Sequence, residues 1–198
     1  PGDGIGKEVT PWAQKALEKA AEGVAEFDYE NFDLGAERYL RDGAILPEEE
    51  EERIKKTDAI LLGAVGDPRI KAGILERGLL LKLRFDLDQY VNLRPSKLYK
   101  GVTSPLANPG DIDFVVVREL TGGIYFGEHI LKEDTARDIN DYSAEEIRRI
   151  MHQAFKIAQG RGKKVTSIDK QNVLATSKLW RQVAEEVAKE FPDVTLEH

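Results

Sequence analysis

Cysteine is absent from this chain, which excludes disulfides, thiolate metal sites and cysteine nucleophiles. Histidine is scarce, and His129, His152 and His198 show no metal-ligand spacing. No apolar run approaches the roughly 18 residues of a membrane-spanning helix, and no signal peptide opens the chain. An excess of positive charge is missing too. The formal net charge is −7, which argues against nucleic acid or an anionic membrane as the main partner. The default compartment is cytoplasmic. Neither phosphate-loop signature is present: Gly2-Asp3-Gly4-Ile5-Gly6 has the spacing of neither a dinucleotide fingerprint nor a Walker A loop. There is no internal repeat, no low-complexity linker and no initiator methionine. Pro1–Gly6 is turn chemistry with no strand before it, and Val194-Thr195-Leu196 begins a strand that stops at His198. The expectation is therefore an interior piece of a longer protein.

What remains is enough for a folded protein. The 198 residues are 41% hydrophobic and 33% charged, which suits one ordinary domain or two small ones with a buried core. Apolar spacing predicts a helix over Lys7–Glu22, with Val9, Trp12, Ala13, Ala16, Leu17 and Ala20 on its buried face. A short strand is expected near Phe27–Asn31. Pro47, at a first helical position, opens a helix through Glu48–Glu52. Ala59–Leu62 reads as a buried strand before the loop Gly63–Pro68, and Leu79 to about Tyr90 as an apolar helix. Val91–Tyr99 reads as a strand interrupted by Pro95, Phe114–Val117 as a buried strand, and 127–142 as an extended arm. Ser143 with Glu146 forms a capping box for a helix to about Gly160. A strand at Val165–Ile168 and a helix at Thr176–Phe191, closed by Pro192, complete an α/β pattern.

The chemistry concentrates in a few segments. Arg118-Glu119-Leu120-Thr121-Gly122-Gly123-Ile124-Tyr125 places a cation, a glycine pair and a phenol after an apolar strand, where α/β proteins locate their chemistry. Arg84 sits on an apolar helix, Arg94 stands before Pro95 and Arg118 ends a core strand. Each can be a structural ion pair; together they suit a small, multiply charged carboxylate, because guanidinium binds carboxylate bidentately. Tyr125 is either a packed aromatic or a proton donor. Lys170, at a buried strand end, is either paired with Asp169 or another acid, or desolvated enough to act as a base. The segments Gly2–Gly6 and Gly63–Pro68 are either tight turns or places where backbone approaches a cofactor.

Taken together, Pro1–Gly6, Gly63–Gly66, Leu79–Arg84, Asn92–Pro95, Arg118–Gly127 and Asp169–Val173 resemble the β-decarboxylating dehydrogenases, the isocitrate/isopropylmalate family, from end to end. Leu120–Gly127 is similar to the isopropylmalate branch, whereas Asp88–Pro95 and Asp111–Phe114 are also similar to tartrate and D-malate enzymes. The resemblance implies a two-domain, non-Rossmann α/β fold, here incomplete, with 1–90 in a first, NAD-side domain and 91–198 in a second, dimerisation domain. It implies NAD-dependent oxidative decarboxylation of 3-isopropylmalate to 4-methyl-2-oxopentanoate, a step of leucine biosynthesis, with NAD and Mg²⁺ or Mn²⁺ as cofactors. By the same resemblance, Arg84, Arg94 and Arg118 hold carboxylates, and Leu80 and Leu81 receive the alkyl group. Ile5, Gly66, Glu76 and Asn172 meet the cofactor, although Glu76 stands one residue further from Arg84 than the family pattern. Tyr125 is the implied acid and Lys170 the implied base, the lysine serving the partner's site in a homodimer whose arm is 127–142. The family's metal-binding aspartates are expected past His198, so residues 1–198 alone are expected to be inactive and poorly folded. The alternatives are a tartrate or D-malate dehydrogenase, and a non-catalytic carboxylate-binding module.

Overall fold

Helix α1, Gly6–Ala20, follows the apolar spacing of the opening segment. It belongs to a computed structural model describing residues 1–198, in which two compact units are distinguished, Pro1–Leu87 and Asp88–His198. In the first unit, α2 is Ala36–Asp42 and α3 is Glu48–Ile54, with Pro47 as the residue before its first turn rather than within it. A π-helical turn, Glu76–Leu81, runs directly into α4, Lys82–Asp86. The predicted helix thus starts earlier and stops sooner than its apolar pattern suggests. The core of this unit is Ile54, Leu79 and Leu83, packed against Phe32, Leu34, Ile45, Leu46, Val65 and Leu87.

Two expected strands of this unit do not form. Residues 27–31 and 59–62 carry no strand, and the one bridge nearby is parallel, Gly2 to Ala64. β-structure is a property of pairs, and neither segment has a neighbouring strand to receive its N–H and C=O groups. Ile60, Leu61 and Leu62 are accordingly exposed, as are Val9, Trp12 and Leu17, so the predicted buried face of α1 is uncovered within this chain.

Glu51 is the unusual acid of the first unit, almost fully buried and bridged to Lys55 at 2.7 Å and Lys82 at 2.6 Å. Hydrogen bonds from Lys55 and then Lys82 hold its carboxyl down to about 2, from an ordinary 4.5. A depressed folded-state pKa contributes stability that is complete above the unfolded value and is lost as pH falls through the folded one. The first unit is therefore expected to lose stability between pH 4.5 and about 2. Glu51→Gln should flatten that part of a stability-against-pH curve measured by urea denaturation; an unchanged acid limb would rule the bridge out as its cause.

The second unit is built on three small sheets. β1, Val91–Lys97, pairs antiparallel with β2, Asp113–Glu119. Pro95 is tolerated inside β1 because a two-stranded ladder leaves each strand an edge that needs no donor. β3, His129–Leu131, and β4, Ala136–Asp138, form a hairpin within the expected arm, and β5, Lys164–Thr166, pairs in parallel with β6, Thr195–Glu197. Phe114 and Val116, expected to be buried, are about half exposed, because nothing in the chain covers that face of β2.

Helix α5, Ala144–Gln159, begins at the predicted capping box: Ser143 Oγ accepts from the Glu146 amide, and the Glu146 carboxylate accepts from the Ser143 amide. Its spacing of Ile147, Met151, Phe155 and Ala158 packs against Val183, Ala184 and Val187 of α6, Ala175–Ala188. Phe191 and Val194 close this core. No helix is long and apolar enough to cross a membrane.

Candidate functional site

Register decides which side chains of the β1–β2 ladder share a face. Asn92 lies opposite Arg118, and Arg94 opposite Val116. Directly opposed residues point to the same side and successive residues alternate, so Arg94 and Arg118 stand on one face as diagonal neighbours. The Arg118 guanidinium carbon lies 5.2 Å from the centre of the Tyr125 ring. Three predicted residues are thereby brought together: Arg94 exposed, Arg118 half-buried and Tyr125 exposed rather than packed. Arg148, Arg161 and Arg181 of the same unit are each paired with a carboxylate, whereas neither Arg94 nor Arg118 makes an ion pair.

Tyr125 closes a 3₁₀ turn, Gly123–Tyr125, and the glycines before it are required by packing. Gly123 has φ +78°, and a Cβ there would run into the Tyr142 ring. Tyr142 is edge-on to Trp180 at 5.3 Å, and burial first, then Glu119, pushes its phenol pKa up. At the turn's end, the Tyr125 carbonyl faces His129 Nε2 at 3.2 Å, and His129 Nδ1 faces Asp138 at 2.7 Å.

Lys170 is exposed and lies beyond β5, so the burial expected of it is not supplied by this chain. Its amide donates to Ser177 Oγ at 3.1 Å. Nor does it pair with Asp169. That carboxylate is engaged by the Gln171 amide at 3.0 Å and Arg181 at 3.2 Å, and these bonds outweigh its burial and hold it below the usual carboxylate range. Asn172 is exposed in the turn before α6.

In the first unit, Leu79 and Leu83 point into the core while Leu80, Leu81 and Arg84 are half-buried, the two leucines standing four and three residues before the arginine. Arg84 makes no ion pair, unlike Arg38 and Arg69 of the same unit. Glu76 opens the π turn, and its carboxylate accepts from the Gly73 amide at 2.8 Å. A π turn closes i→i+5 bonds and so takes up one residue more than an α turn.

The two glycine-rich segments adjoin through Asp3, a buried residue that sequence reasoning passed over. Its carboxylate accepts from the Ala36 amide at 2.7 Å and the Gly66 amide at 3.0 Å, and its own amide donates to the Ala64 carbonyl at 2.6 Å. A Cβ on Gly6 or Gly63 would collide with the Pro1 carbonyl, so these glycines serve close backbone packing. Gly4 and Gly66 differ: both have left-handed φ, +46° and +138°, with open space where a side chain would be. Ile5, next to Gly4, is exposed. Removing the Asp3 carboxylate with Asp3→Ala orphans the buried Ala36 amide at about 1–3 kcal/mol, and a lowered urea midpoint should report it.

No group of three or more histidine, aspartate or glutamate side chains is placed to hold a metal ion.

The family described as isocitrate/isopropylmalate dehydrogenase matches residues 1–198. A 3-isopropylmalate dehydrogenase from Bifidobacterium longum (strain DJO10A) is 69% identical over 98% of this chain and 59% of its own length. The enzyme of that name from Streptococcus thermophilus (strain CNRZ 1066) is 56% identical over the whole chain and 59% of its length. Among solved structures, an isocitrate dehydrogenase from Methylococcus capsulatus superposes with a TM-score of 0.84 at 30% identity, covering all of this chain and 57% of that one. A protein from Thermus thermophilus gives a TM-score of 0.83 at 32% identity, over 100% of this chain and 39% of that one. The chain spans about 59% of the length of these curated relatives. With all of its residues matched and its fold shared, it belongs to the isocitrate/isopropylmalate dehydrogenase family.

Proposed function

We propose that the full-length protein carrying this chain is an NAD-dependent dehydrogenase that oxidises 3-isopropylmalate and decarboxylates the product to 4-methyl-2-oxopentanoate, in leucine biosynthesis. The observation that carries the reading is the pair Arg94 and Arg118, on one face of a ladder, without carboxylate partners, beside an exposed phenol. The curated relatives named 3-isopropylmalate dehydrogenase support the choice of substrate.

Arg94 and Arg118 bind one end of the substrate and Arg84 contributes to neutralising the second carboxylate, each by charge-assisted hydrogen bonds. Leu80 and Leu81 receive the isopropyl group. Lys170, from the partner subunit of a homodimer, takes the proton of the C2 hydroxyl. As the bond from C3 to its carboxylate breaks and carbon dioxide leaves, the electron pair stays with the organic product. Tyr125 then gives its phenolic proton to C3. NAD⁺ would accept the hydride from C2, with Ile5, Gly66 and Glu76 as its proposed contacts. Asn172 is the proposed contact on the nicotinamide side. The side chains of this chain do not by themselves compose a divalent-cation site.

The test is NADH formation by the full-length protein with 3-isopropylmalate, D-malate, tartrate and isocitrate, with and without Mn²⁺. A metal-dependent preference for 3-isopropylmalate is expected; preference for malate or tartrate would overturn the substrate assignment. Replacing Leu80 and Leu81 together by serine should cost kcat/KM for 3-isopropylmalate about tenfold or more, with little change for D-malate, since one branched alkyl group is worth about 1.5–3 kcal/mol.

A further inference from the structure

Glu119 ends β2 with its side chain almost wholly buried, yet it forms no close pair with a lysine. Its carboxylate is used by the turn that follows. It accepts from the Thr121 amide at 3.1 Å, from Thr121 Oγ1 at 2.7 Å and from the Gly122 amide at 2.7 Å. Arg149, projecting from α5, continues this chain of bonds: its Nη2 donates to Thr121 Oγ1 at 2.6 Å and lies 3.7 Å from Glu119. The other arm of the same guanidinium donates to both oxygens of Asp88 at 3.1 Å, and its plane lies 4.2 Å over the Tyr90 ring. Asp88 has φ +43°, a conformation that non-glycine residues rarely adopt. The buried Nε–H of Arg149 has no acceptor, so the guanidinium is placed for its other contacts at the expense of that one.

We propose that Arg149 and Glu119, joined through Thr121, are positioning residues that preset the Gly122–Tyr125 turn, and with it the Tyr125 phenol, for proton delivery to the substrate. The assignment rests on the role of Tyr125 under Proposed function. The clamp works because Gly122 and Gly123 have no side chains to define their own conformation, so the turn takes its shape from outside. A carboxylate that accepts three bonds from consecutive residues, backed by a guanidinium, defines that shape better than surface contacts would. The phenol is thereby held near Arg118 before substrate arrives, and less ordering remains to be done in the transition state.

Thr121→Val keeps the side chain's shape and removes the hydroxyl that links the two charged groups; Thr121→Ser restores it. In the full-length protein, Thr121→Val should speed hydrogen exchange at the amides of Gly123, Phe126 and Gly127, and Thr121→Ser should return it to the wild-type rate. In turnover, Thr121→Val should lower kcat by about 10- to 100-fold, the loss of one charge-assisted hydrogen bond, with KM almost unchanged. The isotope effect of deuterium at substrate C2 should shrink toward unity as protonation, rather than hydride transfer, becomes limiting. Exchange that stays at the wild-type rate in Thr121→Val overturns the clamp. So does a fall in kcat with a matching rise in KM and an unchanged isotope effect, which marks a merely structural role. If the wild-type protein oxidises no 2-hydroxy-dicarboxylate, the proposed function fails, and the role in proton delivery fails with it, whatever the exchange data show.

Discussion

Lys170→Met in the full-length protein is expected to lower kcat by about 10²–10⁴-fold, the usual worth of a positioned general base. KM should stay near its wild-type value, because the ammonium is assigned to the proton transfer and the carboxylates to the arginines. Tyr125→Phe should cause a loss of similar size while preserving the ring that lies over Arg118. The two variants should then rescue each other. If Lys170 serves the partner's site, a hybrid of one Lys170→Met and one Tyr125→Phe subunit contains one site with both groups intact and one with neither. Mixed and re-annealed dimers should therefore recover up to a quarter of wild-type activity, half of the dimers being hybrids with one working site each. Failure to recover any activity would place the lysine in its own subunit's site, or outside catalysis.

Phe155→Ala should be the most damaging single change to the second unit. The ring is fully buried, stacked on Phe191 at 5.3 Å, and central to the α5–α6 core. Emptying such a position removes its transfer free energy and leaves a cavity, together about 3–5 kcal/mol. Phe155→Leu keeps most of the volume and should cost less than about 1.5 kcal/mol. Urea unfolding of the full-length protein and both variants reads the difference. Equal midpoints for the two variants would mean that the site collapses around alanine and that the core is looser than its packing indicates. This core also supports the Gly123–Tyr125 turn indirectly, because Tyr142, on which Gly123 rests, packs against it.

Much of the second unit is legible without coordinates. The capping box at Ser143 and the apolar spacing of α5 act within a turn or two of chain, and local interactions of that kind need no distant partner. The first unit is less so. Ala59–Leu62 has the composition of a buried strand but no strand beside it, and α1 has an apolar stripe that nothing in these residues covers. The π turn Glu76–Leu81 leaves no mark in the sequence, because an extra residue changes hydrogen bonding without changing composition.

The candidate site divides in the same way. Arg84, Arg94, Arg118, Tyr125 and Lys170 could be picked out from residue type and position at the ends of apolar segments, and the family resemblance supplied their order along the chain. Glu119 and Arg149 could not. An acid beside an arginine and an arginine on an amphipathic helix both read as surface, and only the folded chain shows that one is buried and the other reaches Thr121. By itself, then, the sequence determined α1, α5 and α6 and marked the charged and proton-handling side chains proposed for a site, because those depend on local spacing and on the chemistry of single side chains. Tertiary structure decided that Arg94 and Arg118 share a face, that the glycine turn is held by Glu119, and that the carboxylate of Asp3 accepts from the Gly66 amide. Those outcomes depend on strand register and on contacts between residues far apart in the chain, which no local pattern encodes.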